Sequence, residues 1–399
     1  MSDGTAVAPA HDRVISLGCR LNIAESERIR MLVADEDDLV IINSCAVTME
    51  AVRQTRQAIR RARRARPGAR LLVTGCAAEV ERDQLSAMPE VDGIVANAQK
   101  LDARAWNVPE RGEPTPSKHT RAFIAVQNGC DHACTFCVIP QGRGQSVSLA
   151  ISSVLREVER HLHHGASEVV LTGVDVTSWG HDLPRAPKLG ELVSSIFDAF
   201  PELQRLRMSS LDGVEIDPVL FELFASEKRM MPHLHLSLQH GADLILKRMK
   251  RRHNRASAVE LIQQLHERRP ELAVGADIIA GFPTEGAEHH EQNRSIISEL
   301  PIVHGHIFPY SPRPGTSAAR MPQHDKSLIK ARAGQLRADV AKARNNWLAE
   351  LVGKPLHVLA ESDGTGYAEN FARVAVPPGT ARGTILTITP RSLTQGLLT

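Results

Sequence analysis

Gly129-Cys130-Asp131-His132-Ala133-Cys134-Thr135-Phe136-Cys137-Val138-Ile139-Pro140 is the stretch on which the reading of this chain turns. Its three cysteines stand at C-x3-C-x2-C spacing, just after the apolar, strand-like run Ala122–Val126. Three thiolates are one short of the four that close a structural zinc or iron–sulfur site. A [4Fe–4S] cube held by three cysteines keeps one iron open to a small-molecule ligand, so the incomplete set points to chemistry.

Outward from this loop, five more runs read as strands: Glu168–Thr172, Arg205–Ser209, His233–Leu238, Ala276–Ala280 and His304–Phe308. Helical patterns lie between, at about Leu149–His164, Leu189–Phe200, Ala256–Arg268 and Ala287–Leu300. Six βα units predict an open, partial (β/α)6 barrel, whose active site lies at the carboxyl ends of its strands. The three cysteines fall at that face. So do Thr172-Gly173-Val174-Asp175, Ser209-Ser210, Gln239-His240-Gly241, Gly281-Phe282-Pro283 and the run Tyr310–Thr316. Such a ring of small and polar groups suits a bound nucleoside and amino acid. His233, His235, His304 and His306 alternate along strands and are expected to be packed or hydrogen-bonded barrel residues. No H-E-x-x-H, G-x-S-x-G or G-x-x-x-x-G-K-[ST] occurs, so zinc hydrolysis, serine hydrolysis and P-loop chemistry find no support.

Before the barrel, a strand that ends in cysteine repeats three times: Val14–Cys19, Leu39–Cys45 and Leu71–Cys76. The runs are short and rich in Val, Ile and Leu, as buried parallel strands are. Helical stretches at about Asn22–Val33 and Glu50–Arg66 separate them, and Gly93–Ala96 reads as a fourth strand. This is an α/β layer on a parallel sheet. Ligands of such sheets bind beyond the carboxyl ends of the strands. Cys19, Cys45 and Cys76 therefore read as a second tri-cysteine site, the alternative being three inert buried thiols. Six cysteines in a reducing cytosol favour clusters over three disulfides.

The 399-residue chain has no apolar run of membrane-spanning length and no recognisable signal peptide, so a cytoplasmic location and no membrane partner are expected. Residues 1–12 read as a loose tail and Pro109–Pro116 as a linker, which divides the chain into 1–112, 113–348 and 349–399. Net charge is only +2, but it is clustered. Residues 51–70 hold eight arginines and no acid, and Arg53, Arg56, Arg60 and Arg63 form a stripe suited to RNA phosphates. A second basic cluster runs Lys247–Arg255. After a long helical stretch, Ser327–Leu351, the runs Leu356–Glu361, Tyr367–Val376 and Thr384–Thr389 predict a small antiparallel β module. Tyr367 and Phe371 are its only aromatics, so RNA contact there would lean on backbone charge.

The C-x3-C-x2-C loop with Phe136 before its last cysteine resembles the radical S-adenosylmethionine (SAM) signature. Together with Cys19, Cys45 and Cys76 in a preceding α/β domain, it resembles the methylthiotransferase family over almost the whole chain from about residue 13. Gly18-Cys19-Arg20-Leu21-Asn22, Asn43–Thr48 and His306–Thr316 resemble the branch acting on N6-threonylcarbamoyladenosine at tRNA position 37. The resemblance implies a radical SAM [4Fe–4S] cluster on Cys130, Cys134 and Cys137, whose open iron binds SAM. Its reduction would cleave SAM to a 5′-deoxyadenosyl radical. An auxiliary [4Fe–4S] cluster on Cys19, Cys45 and Cys76 would hold the sulfur to be inserted, and a second SAM would methylate it. Phe136, Gly173, Ser209, Gln239 and Gly281 are the candidate SAM-binding residues. The implied partners are the tRNA anticodon stem-loop and an electron donor such as a flavodoxin or ferredoxin. The last segment resembles a shortened TRAM domain. Three positions depart from the family pattern: Val147 (often Arg), His240 (often Ser) and Thr284 (often Gly). The alternatives are the same chemistry on isopentenyladenosine or a ribosomal-protein aspartate, and a non-catalytic iron–sulfur RNA-binding protein or redox sensor.

Overall fold

The computed structural model describes residues 13–109 and 120–399. The expected tail at 1–12 and most of the expected linker therefore lie outside the described residues. Strands β1 (Val14–Ser16), β2 (Leu39–Ser44), β3 (Arg70–Gly75) and β4 (Gly93–Ile94) form one parallel sheet in the order β1-β2-β3-β4. Every residue of β2 is buried, as a central strand covered on both faces must be. Helix Arg20–Leu32 follows β1 and helix Met49–Ala65 follows β2. The Thr48 side chain caps the second by accepting the Ala51 N–H. The sequence ran each strand into its cysteine. In the structure the strand stops short, which leaves each cysteine in the loop or helix start that follows.

The barrel strands are β5 (Arg121–Ala125), β8 (Glu168–Thr172), β9 (Arg205–Met208), β10 (His233–Gln239), β11 (Ala273–Ala280) and β12 (Ile302–Pro309). Between the first two, β6 (Gln127–Asn128) and β7 (Val147–Ser148) pair antiparallel at the base of the cysteine loop. Parallel sheets β5-β8-β9 and β10-β11-β12 are joined by the parallel bridges Leu206–Met230 and Leu211–Leu236. This makes one wrapped sheet, open between β5 and β12. Its outward residues, among them Ile124, Val169, Leu206, Leu234 and Ala276, pack with the surrounding helices in a single core. Each fully buried large aliphatic there contributes about 1.5–3 kcal/mol. The alternate residues face the lumen. A helix at Pro218–Ser226, not read from the sequence, supplies the crossover from β9 to β10. Asp217 caps it by accepting the Val219 and Leu220 N–H groups, and Pro218 sits in its first turn.

Two other parts close the barrel. Helix Arg20–Leu32 packs on the edge strand β5. Arg313, fully buried in the loop after β12, donates to Glu81 at 3.0 Å and fixes that loop to the N-terminal domain. At the amino ends of the strands sits the C-terminal sheet: β13 (Leu356–Ala360), β14 (Thr365–Ala368), β15 (Arg373–Ala375), β16 (Ile385–Ile388), β17 (Leu393–Thr394) and β18 (Leu397–Leu398). Its order is β16-β13-β14-β15-β18-β17, antiparallel except for β15–β18. Phe371, between β14 and β15, stacks on Tyr367 and on His233 at 4.8 and 5.0 Å. Arg207 lies 4.6 Å over the Phe371 ring, and Arg121 4.8 Å over that of Tyr367. The module's two aromatics thus plug the barrel floor and are not a platform for RNA bases.

Candidate functional site

The cysteine loop is held by its base. Gly129 has φ +74°, and a Cβ there would lie 1.8 Å from the Gln145 carbonyl oxygen, so only glycine fits. Gln127 donates to the Gly129 carbonyl at 2.9 Å and accepts from the Val174 and Asp175 amides, which ties the loop to the end of β8. Phe136 packs against Ile245, Met249, Ile279, Phe282 and Tyr310 at the barrel mouth. Each cysteine sulfur accepts a hydrogen bond. Cys130 accepts from the His132 amide at 3.4 Å, Cys137 from the Ile139 amide at 3.4 Å and Cys134 from the Arg251 guanidinium at 3.5 Å. Burial pushes the Cys130 thiol up to about 12 and the Cys137 thiol up to about 11. Three N–H donors aimed at sulfur suit thiolates bound to metal. Among the described residues neither cysteine trio has its sulfurs within 4.8 Å of one another, as a single ion would need. Thiolates on separate irons of a cube stand wider apart, so the donor set fits a cluster.

A ring of ion pairs surrounds this loop. His132 contacts Asp175 at 2.7 Å, and hydrogen bonds from it to Asp175 and Glu215 push its pKa up to about 10. Arg251 pairs with Asp212 at 2.8 Å and Arg252 with Glu215 at 2.7 Å. The Lys247–Arg255 cluster, read from sequence only as basic, thus turns much of its charge inward. Sequence reasoning missed these roles and that of Gln127. The signal was the placement of Asp212, Glu215 and Arg251 near strand ends, which only the topology makes visible.

The second trio forms around two glycines. A Cβ on Gly18 (φ +93°) would lie 2.6 Å from Cys45 Cβ and 2.7 Å from its Sγ. Gly75 (φ +90°) packs as closely on the Ser44 backbone, just before Cys76. Asn22 donates to the Leu17 and Ser44 carbonyls and holds the loops together. Cys45 and Cys76 are buried and Cys19 is exposed. Burial pushes the Cys45 thiol up to about 12, and the nearby Cys19 and Cys76 sulfurs add to the push. Gly18→Ala is expected to cost about 1–3 kcal/mol in denaturant unfolding and to lower the iron bound after reconstitution. Wild-type values for both would contradict this packing.

The two trios face each other across the domain boundary. A Cβ on Gly142, in helix Ile139–Arg143, would lie 3.2 Å from Cys76 Cβ. Cys76 is near enough to Cys137 to oppose its ionisation. Arg143 spans the boundary, donating to Asn128 Oδ1 (2.7 Å), Asn22 Oδ1 (2.5 Å) and Glu25 Oε1 (2.8 Å). Glu25 also pairs with buried Lys100 at 2.6 Å. The positive charges of Arg143 and Lys100 both favour the thiolate of Cys76.

Several expected site residues have contacts within the protein. Gly173 packs on Gln127, where a Cβ would lie 2.8 Å from the carbonyl oxygen. Gly281 donates its N–H to Glu285, and a Cβ there would lie 2.7 Å from Ile329 of the long helix Lys326–Leu351. Both glycines serve close packing, so a side chain at either position would be excluded. Ser209 keeps a buried hydroxyl with no partner, and Gln239 sits at φ +67° where the β10–β11 register shifts. The arginine stripe is not free of acids, because Glu50 of the same helix and other segments supply them. Arg56 pairs with Glu81 at 2.8 Å. Arg63 binds Asp92 and the Glu90, Pro67 and Ala69 carbonyls. Arg53 pairs with Glu50, and Arg60 reaches Glu90 only at 3.8 Å. Of the three departures, Val147 is exposed on β7, His240 lies 3.4 Å from buried Glu285, and Thr284 adopts φ +71° with Arg248 on its hydroxyl.

Residues 12–96 match the family model described as Uncharacterized protein family UPF0004, and residues 124–294 match that of the Radical SAM superfamily. The chain is 44% identical over 390 residues to the threonylcarbamoyladenosine tRNA methylthiotransferase MtaB of Rickettsia prowazekii, covering 93% of each. It is 33% identical over 389 residues to the protein of the same name from Aquifex aeolicus, covering 89% of this chain and 94% of the other. It is 30% identical over 396 residues to the tRNA-2-methylthio-N(6)-dimethylallyladenosine synthase of Erythrobacter litoralis, covering 90% and 88%. Among solved structures, the radical S-adenosylmethionine methyltransferase TsrM from Kitasatospora setae aligns with a TM-score of 0.52 at 16% identity, over 73% of this chain and 68% of that one. That likeness shows the fold alone.

Proposed function

The chain belongs to the radical SAM methylthiotransferase family, and from that premise we propose that it places a methylthio group at C2 of N6-threonylcarbamoyladenosine in tRNA. The observation that carries this reading is the pair of cysteine trios facing each other across Gly142 and Cys76. Cys130, Cys134 and Cys137 would hold one [4Fe–4S] cluster, and Cys19, Cys45 and Cys76 the other. When bound, these clusters and SAM supply the one-electron and sulfur-transfer chemistry that an unactivated adenine C2–H demands. The chain's own residues do the rest. Arg251 and the His132 and Ile139 amides orient the first trio's sulfurs. Arg143 fixes the second trio against the first. Phe136, Gly173, Ser209, Gln239 and Gly281 are the candidate contacts to SAM at the barrel mouth.

The three segments divide this work: 1–112 carries the second trio, 113–348 the barrel, and 349–399 the floor. An anticodon stem-loop must reach the trio interface from outside. Arg61 and Arg64 are exposed and have no partner among the described residues. Arg53 and Arg60, more than half exposed, are held only by surface pairs that contribute little. These four are the phosphate contacts of the helix Met49–Ala65, in place of the tied Arg56 and Arg63. No described helix is long and apolar enough to cross a membrane. A cytoplasmic setting and a flavodoxin- or ferredoxin-type donor complete the reading.

The test is mass spectrometry of nucleosides from tRNA incubated with reconstituted protein, SAM and reductant. The expected product is the 2-methylthio form of threonylcarbamoyladenosine. Methylthiolation of isopentenyladenosine tRNA alone would assign the chain to the other substrate.

A further inference from the structure

The barrel lumen is polar far below the level of the cysteines. Inward residues of β10, β11 and β12 place His235, Asp277 and His306 together. Asp277 Oδ1 lies 3.1 Å from His235 Nε2 and 3.1 Å from His306 Nδ1. Asp277 keeps 20% of its side chain exposed and His306 46%, while His235 is nearly buried. Deeper, His233 is only 2% exposed, and neither ring nitrogen has a hydrogen-bond partner. Burial and the neighbouring positive groups hold it well below the usual histidine range, so it is a neutral donor and acceptor left unused. Buried polar atoms without partners are uncommon and call for a ligand or water. Into the same space comes Arg20, the residue after Cys19. Its guanidinium stands 5.8 Å over the Phe371 ring at the floor, and its charge reaches both His233 and His235.

We propose that this lumen is the subsite for the N6 substituent of the substrate nucleoside, with Arg20 as the cation for its threonine carboxylate. His306 and Asp277 then meet its hydroxyl and carbamoyl groups, and His233 lies beneath them. The inference rests on the function proposed above and names what reads the substrate. A hydrocarbon substituent would leave both ring nitrogens of His233 without partners and would offer no anion to the Arg20 guanidinium. That penalty, more than any attraction, rejects an isopentenyl group.

The experiment measures binding of anticodon stem-loops to the fully reconstituted holoprotein by fluorescence anisotropy. The loops carry threonylcarbamoyladenosine, isopentenyladenosine or plain adenosine. Wild type is expected to prefer the first by about tenfold or more. Arg20→Met should bring that preference close to one while binding to the plain loop is kept, and Arg20→Lys should restore part of it. Iron content checks that the neighbouring Cys19 site is intact. If Arg20→Met loses iron, His306→Gln and Asp277→Asn carry the same expectation. A preference unchanged in all these variants overturns the subsite, while turnover of threonylcarbamoyladenosine tRNA by the wild type would leave the proposed function standing.

Discussion

Cys45→Ala is expected to keep reductive SAM cleavage and to lose the methylthio product. Cys45 is buried where only a glycine at position 18 lets its sulfur approach. Removal leaves Cys19 and Cys76 as two thiolates facing an unfilled corner. Changes to groups that merely support a ligand already cost 10–100-fold in affinity or activity, so loss of a ligand should lower product by more than ~100-fold. The Cys130 loop has its own supports in Gln127, Gly129 and Arg251, none of which touches Cys45. 5′-Deoxyadenosine should therefore still appear when the variant is reduced with SAM present. Methylthio product from this variant would remove the second trio from the reaction.

Cys134→Ala should give the opposite pattern. Cys134 is the cysteine of its loop whose sulfur meets a guanidinium, that of Arg251, which is itself anchored on Asp212 and on the Ser237 carbonyl. That frame is built for a charged sulfur, and an alanine there leaves a buried guanidinium facing nothing. 5′-Deoxyadenosine formation should fall by more than ~100-fold, while the Cys19, Cys45 and Cys76 site keeps its iron. SAM cleavage at the wild-type rate would contradict the assignment of the loop.

Much of the fold was legible because its strands are short apolar runs bounded by glycine and polar residues. All six barrel strands and the first three of the N-terminal sheet lie where the pattern of Val, Ile and Leu placed them. The helix Pro218–Ser226 was missed although Asp217-Pro218 is a helix-start signal. The site was legible in its cysteines, since ligand type and spacing are local facts. It was not legible in its partners. Arg56 and Arg63 looked free because residues 51–70 contain no acid, yet Glu81 and Asp92 reach them from other segments. What the bare faces of Gly173 and Gly281 pack on is set by Gln127 and Ile329, remote in sequence, and no local pattern shows it. Phe371 and Tyr367 were read only as the few aromatics of a β module, and they form the barrel floor. In each case a tertiary contact, invisible to local pattern, decided the role.

The central claim is that two cysteine trios, facing each other across one domain boundary, each hold a four-iron cluster. Iron and sulfide content after anaerobic reconstitution tests it most directly. About eight irons and eight sulfides per chain are expected in the wild type, and about four in Cys45→Ala and in Cys134→Ala. About four in the wild type, unchanged in Cys45→Ala, would leave the N-terminal cysteines without a cluster and contradict the account.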